Sequence, residues 1–344
     1  MITTSHYAII AIVSLLLMTF TSATASAVTQ DDPDTKPRLK VALVLGGGGA
    51  KGAAEVGVLK YIEKSGIPID YVVGTSIGSI VGGLYSMGYT ADQLDSLFVS
   101  QEWSTLLTDR RSQHRRSIYD KDENGNVYIL GIPVFSKGTK LNRKFGALHG
   151  DSIVSMLSRM TACPDSINFD EMPIPYRCVA VDISHGIRER VLSSGNLAQC
   201  MRASMAIPLA LSPVQMDDMI LVDGGVLNNL PVDVARDMGA DIVIAVDLTQ
   251  NKPEDDGDDD IFSTIAGKMN VVGWALNRPD QKKYNKNRKD ADLYINPRLK
   301  GFGVTSFSRT KISQMIYLGE EAGASSLKAL KKLKKKIYKV GSIN

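Results

Sequence analysis

Short β-branched apolar runs alternate with helical patterns along most of the chain. Leu39–Leu45 (LKVALVL) predicts a first strand ending in glycines. Ala53–Ser65 predicts a helix with Val56, Leu59 and Ile62 on one face. Ile69–Val73 reads as a second strand, Ile77–Met87 as an apolar helix rich in small residues, and Thr90 as the N-cap of a helix through Phe98. Later strands are expected at Tyr176–Ile183, Met219–Val222, Asp241–Leu248 and Leu293–Ile295. Runs this continuously apolar are buried on both faces. With helices between them, they predict an α/β fold: three layers, α/β/α, around a mainly parallel central sheet.

The rhythm breaks between residues 100 and 150. Arg110-Arg111, His114, Arg115-Arg116 and the turn Asn124-Gly125-Asn126 suggest an irregular or hairpin-bearing insertion, either a wall of the site or a surface excursion. Glu254–Asp260 (EDDGDDD) lacks the EF-hand spacing and reads as a solvated loop. At the other end, Ala8–Phe20 is an apolar run of thirteen residues followed by Ala25-Ser26-Ala27. It is short for a membrane span and reads as a signal peptide cut after Ala27, the alternative being an uncleaved anchor. The expected organisation is a leader over 1–27, a linker over 28–40, a catalytic domain over 41–250 and a C-terminal extension over 251–344 packing on that domain. The extension carries the acidic loop and a basic terminal helix.

Composition narrows the classes. The 344 residues carry 40 Lys+Arg against 37 Asp+Glu, a net charge of +3, and are 44% hydrophobic. That is a globular chain with no bulk charge for nucleic acid, and none is expected as a partner. Cys163, Cys178 and Cys200 are too few for a disulfide scaffold and are expected as buried free thiols. There are four histidines, at positions 6, 114, 149 and 185.

Three motifs sit at strand ends. Gly46-Gly47-Gly48-Gly49-Ala50-Lys51-Gly52 follows the first strand. Its glycines let backbone N–H groups converge on a phosphate or an oxyanion at a helix N-terminus. It fails as a P-loop, since Gly52 stands where Ser or Thr is needed. Gly47, Gly49 and Gly52 do satisfy G-x-G-x-x-G, with Asp70 at about the distance of a ribose-binding acid, so dinucleotide binding competes. Against it, Asp70 begins the second strand instead of ending it. Gly74-Thr75-Ser76-Ile77-Gly78 links that strand to the next helix and suits a tight turn lifting a nucleophilic serine clear of the sheet. Asp223-Gly224-Gly225 ends the strand MILV and offers a carboxylate as base; Asp182 and Asp247 also end strands and are rivals. No histidine follows position 185, which argues against the Ser–acid–His order of an α/β-hydrolase.

Together, in this order and these contexts, the three motifs resemble the patatin-like phospholipase family. The stretches VALVLGGGGAKGAAEVGVLKYIE, RASMAIPLALSPV and LVDGGVLNNLPVDVARDMGADIVIAVD look like bacterial, exported members. The resemblance covers about residues 40–250. It implies a patatin-like fold and a Ser–Asp dyad without histidine, with Ser76 as acyl-accepting nucleophile and Asp223 as general base. It further implies an oxyanion hole in the Gly47–Gly49 backbone, a loop-ordering role for Lys51, and neither metal nor cofactor. The implied substrate is a phospholipid or another acyl-ester lipid; a non-catalytic lipid-binding scaffold is the remaining alternative. In Leu327–Lys339, Leu327, Leu330, Leu333 and Ile337 share a helical face among seven lysines. That face suits either peripheral contact with an anionic membrane or packing on the core.

Overall fold

A computed structural model describes residues 38–109, 120–121, 127–128, 148–184, 186–208, 210–249 and 281–339. The leader, most of the linker, the acidic run, His114 and His185 lie outside the described residues.

The central sheet has eight strands: β1 (Val41–Leu45), β2 (Tyr71–Thr75), β3 (Tyr176–Asp182), β4 (Arg188–Leu192), β5 (Val214–Met216), β6 (Met219–Asp223), β7 (Ile242–Val246) and β8 (Leu293–Ile295). Their order is β8-β7-β1-β2-β3-β6-β5, with β4 also on β3. β8, β7, β1, β2 and β3 are parallel, as the apolar runs lead one to expect. β4, β6 and β5 are antiparallel, so the sheet is mixed.

Alternation along the strands splits the core into two layers. Val41, Leu43 and Leu45 of β1 face one side, with α1 (Ala53–Ser65) and α2 (Ile77–Ser86). Ala42 and Val44 face the other side, with Val232, Val234 and Ala235 of a short helix and Tyr284 of another. Helices therefore cover both faces.

α3 (Ala91–Ser100) starts at a capping box between Thr90 and Gln93. Further on, Asp120–Lys121 pairs antiparallel with Val127–Tyr128, bracketing the sequence Asn124-Gly125-Asn126. α4 (Asp151–Thr161) and α5 (Leu197–Ser204) precede the last long element, α6 (Arg309–Lys339).

α6 runs 31 residues along α1. The approach is very close: a Cβ on Gly319 would lie 2.0 Å from the Ala54 carbonyl oxygen, and one on Gly57 2.1 Å from that of Ile316. Leu330 and Ile337 are buried in the core, while Lys328, Lys331, Lys332, Lys335 and Lys336 are exposed. Of the apolar face of this basic helix, Leu330 and Ile337 thus pack on the protein, and Leu327 and Leu333 are half-buried. The C-terminal end of α6 also lies at the wrong pole for the motifs. The Ile337 carbonyl accepts from Leu39 N–H (3.2 Å), just before β1 begins, whereas the glycine loop leaves β1 at the far end. Among the described residues no helix is long and apolar enough to cross a membrane. The three cysteines are free thiols, Cys178 and Cys200 buried and Cys163 half-buried.

Candidate active site

Two strand ends meet on one edge of β3. β2 pairs with its first half, placing Thr75 opposite Val179. The antiparallel β6 pairs with its second half along the same edge, placing Asp223 opposite Ala180. β4 occupies the other edge. β2 and β6 therefore approach head to head, and the residues after Thr75 and at Asp223 come together although 147 positions separate them. Ser76 Oγ donates a 2.7 Å hydrogen bond to Asp223 Oδ2.

Ser76 caps α2 with φ 54° and ψ −125°, a conformation that costs a non-glycine residue on the order of 1–3 kcal/mol. Its neighbours hold it there. Its N–H donates to Ser204 Oγ (2.9 Å), and Ser204 in turn donates to the Val179 carbonyl (2.6 Å). Its carbonyl accepts from Ser79 N–H (2.9 Å) and Ser79 Oγ (2.6 Å). The flanking glycines are required sterically: a Cβ on Gly74 would stand 2.3 Å from the Gly78 carbonyl oxygen, and one on Gly78 2.4 Å from that of Leu45. Thr75 donates to the Asn228 carbonyl (2.9 Å), tying the turn to the chain after Gly224-Gly225. Ile77 begins α2, and a Cβ on Gly52 would fall 2.3 Å from its Cγ1.

Asp223 is 6% exposed and Ser76 4%, so the pair is withdrawn from bulk water. Burial raises the Asp223 pKa to about 6, against the opposing pull of the Ser76 hydrogen bond and of Gly225 N–H, which donates to Oδ1 at 2.7 Å. A carboxylate with that affinity is mostly ionised at neutral pH, yet is roughly a hundredfold better proton acceptor than an ordinary Asp. The rival carboxylates are spent elsewhere. Asp182 accepts from Ser184 and Arg190, and Asp247 from Tyr284, Tyr294 and Thr249 N–H. His149 is exposed and its carbonyl accepts from Arg202 (2.7 Å).

The glycine loop lies beside the serine, since a Cβ on Gly47 would come within 3.1 Å of Ser76 Cβ. Its N–H groups are not equivalent. That of Gly47 donates to the Asn229 carbonyl (3.2 Å), Ala50 to that of Val304 (2.9 Å) and Lys51 to that of Gly48 (3.2 Å). Among the described residues, the N–H groups of Gly48 and Gly49 make no hydrogen bond within the protein, and both residues are half-buried. Gly47 thus drops out of the expected donor set. Asp70 is far from this loop: it precedes β2 at the opposite end of the sheet, paired with Arg38 (2.7 Å) and accepting from Val41 N–H (2.8 Å). The dinucleotide reading thereby loses its ribose acid. Sequence reasoning missed Ser204, Ser79 and Asn229, whose contacts with the motifs are long-range or depend on the turn itself.

Residues 43–236 match the family model described as "Patatin-like phospholipase". The chain belongs to the patatin-like phospholipase family. In this family it is similar to patatin-like phospholipase domain-containing protein 6 of Homo sapiens, 35% identical over 240 residues, which cover 69% of this chain and 15% of the relative. It is also similar to lysophospholipase nte1 of Aspergillus niger, 28% identical over 316 residues, covering 85% of this chain and 18% of the relative. The chain therefore spans less than a fifth of the length of these relatives. Among solved structures, VipD from Legionella pneumophila aligns with TM-score 0.49 and 15% identity, covering 85% of this chain and 67% of that one.

Proposed function

We propose that this protein is a serine hydrolase of lipid acyl esters, of phospholipase A or lysophospholipase type, working through a Ser76–Asp223 dyad. The observation that carries the reading is the 2.7 Å hydrogen bond from Ser76 Oγ to a buried Asp223 with a raised pKa. Ser76 Oγ attacks the acyl carbonyl carbon while Asp223 Oδ2 takes its proton. The tetrahedral oxyanion is held by the Gly48 and Gly49 N–H groups, with the N-terminus of α2 adding positive potential. Collapse expels the lipid alcohol, which takes the proton from Asp223 and leaves an acyl ester on Ser76. Water then attacks that ester as Asp223 again accepts a proton; collapse breaks the bond between the acyl carbon and Ser76 Oγ, Asp223 returns its proton to Ser76 Oγ, and the fatty acid leaves.

The lipid class is supported by the family and by the relatives' names as phospholipase and lysophospholipase. We read residues 41–250 and the extension 251–344 as one catalytic unit. In support, the extension supplies β8, the Val304 carbonyl against the glycine loop and the helix that covers α1. Contact of the lysine face of α6 with an anionic membrane would be mainly electrostatic, because Leu330 and Ile337 are in the core and Leu327 and Leu333 are half-buried. It would tether the pole opposite Ser76. Export through a leader cut after Ala27 rests on the sequence, and the N-terminus of the mature protein tests it.

The function is tested by hydrolysis of lysophosphatidylcholine and of phospholipid vesicles. Ser76→Ala and Asp223→Ala are each expected to abolish fatty-acid release while remaining folded. Full activity in either folded variant overturns the dyad.

A further inference from the structure

Asn229 lies between the two loops of the site and contacts both. Its Nδ2 donates to the Gly47 carbonyl (3.2 Å), and its own carbonyl accepts from Gly47 N–H (3.2 Å). Its Oδ1 sits where a Cβ on Gly47 would come within 2.4 Å and one on Gly225 within 2.6 Å. The glycines of the two loops thus admit this one side chain between them. Asn229 is itself well anchored: Thr75 donates to the preceding carbonyl at Asn228 (2.9 Å), and Asn287 Nδ2 donates to the following one at Leu230 (2.8 Å).

The Gly47 carbonyl and the Gly48 N–H belong to one planar trans peptide and point in opposite directions. Holding the carbonyl therefore sets the direction of the N–H. Glycine on both sides of that peptide leaves no Cβ to oppose a flip, so the backbone does not select the orientation by itself. A flip would remove one of the two unengaged N–H groups from the mouth of the loop. We propose that Asn229 is a positioning residue that locks the Gly47–Gly48 peptide in the orientation offering the Gly48 N–H to the oxyanion. This rests on the Ser76–Asp223 reading above, since it assigns a group that acts on the same intermediate.

Two variants separate the donor from the bulk. Asn229→Asp keeps the shape, removes the N–H groups to Gly47 and Thr249 and adds a negative charge near Asp223, whereas Asn229→Ala removes the side chain beyond Cβ without adding charge. With a soluble p-nitrophenyl acyl ester, both are expected to lower kcat by about 10²–10³, the cost typical of a lost oxyanion donor. In Asn229→Ala, KM is expected within about threefold of wild type and the acid limb of the pH–rate profile still near pH 6, because Asp223 is untouched. A merely structural role would instead move KM, the pH limb and the melting temperature together, and that result overturns the proposal. So does wild-type kcat in either variant. A crystal structure of Asn229→Ala reads the peptide whether or not the protein hydrolyses the ester. It is expected to show the Gly47 carbonyl released from its wild-type direction; a single unchanged orientation overturns the proposal. Wild-type inactivity with a released peptide would instead count against the dyad reading alone.

Discussion

Replacing Asp223 with Asn separates what the carboxylate does for chemistry from what it costs the fold. Burial lifts its pKa from the ordinary 3.8 to about 6. At 1.36 kcal/mol for each pH unit, holding the ionised form in place costs about 3 kcal/mol relative to the unfolded chain. Because the folded pKa lies above the unfolded one, the native state binds the proton more tightly. That contribution is complete below about pH 3.8, is lost as pH rises through about 6, and stays lost beyond. Of the total, about 2 kcal/mol disappears between pH 4.5 and pH 8 by the same linkage. Asn has nearly the same shape and no charge, so the variant escapes this loss. The assay is urea unfolding of both proteins at the two pH values, in which titrations common to both cancel. The stability of Asp223→Asn relative to wild type is expected to improve by about 2 kcal/mol from pH 4.5 to pH 8, while ester hydrolysis falls to background. A difference independent of pH, or one moving in favour of wild type, would refute the reasoning.

Ser204→Ala leaves the buried Ser76 N–H without its acceptor, and the expected cost is about 1–3 kcal/mol in denaturant unfolding. Activity should fall through kcat, because the strained Ser76 backbone loses a restraint; unchanged stability and kcat would show that the contact is dispensable. Gly319→Ala sets two effects against each other. Helix propensity favours Ala by about 1 kcal/mol, but its Cβ would lie 2.0 Å from the Ala54 carbonyl oxygen, and overpacking of that kind costs about 1–3 kcal/mol or more. Net destabilisation is expected in thermal melts, and a gain in melting temperature would mean that α6 does not sit so close on α1.

The parallel half of the sheet was legible because β1, β2, β3 and β7 are short apolar runs, buried on both faces and followed by glycine or acid. Of the antiparallel half, only β6 was legible as a strand. β4 (RERVL) and β5 (VQM) are partly exposed and carry no alternation strong enough to mark them. Nor does a residue pattern disclose that β6 runs against β3, which is what brings Asp223 to Ser76. The helix Gln281–Asp290 (QKKYNKNRKD) escaped notice because only Tyr284 and Asn287 are buried in it. In α6 the lysine-rich end was visible, but nothing in the residue pattern marks Gly319 as a point of close approach to α1. The three motifs located the site because each puts a specific group at a strand end. Ser204 and Asn229 escaped because their contacts with the motifs span 128 and 182 positions and exist only once the chain has folded. The family resemblance implied Gly47 among the oxyanion donors, and the residue pattern does not disclose that its N–H is engaged by the Asn229 carbonyl.

The central claim is that Ser76 is a nucleophile activated by Asp223. Labelling with an alkyl fluorophosphonate, followed by mass mapping of the adduct, addresses it most directly. The expected result is a single adduct on Ser76, absent from Ser76→Ala and formed far more slowly in Asp223→Asn. A folded wild-type protein that takes no label, or a Ser76→Ala protein labelled as fast as wild type, would contradict it.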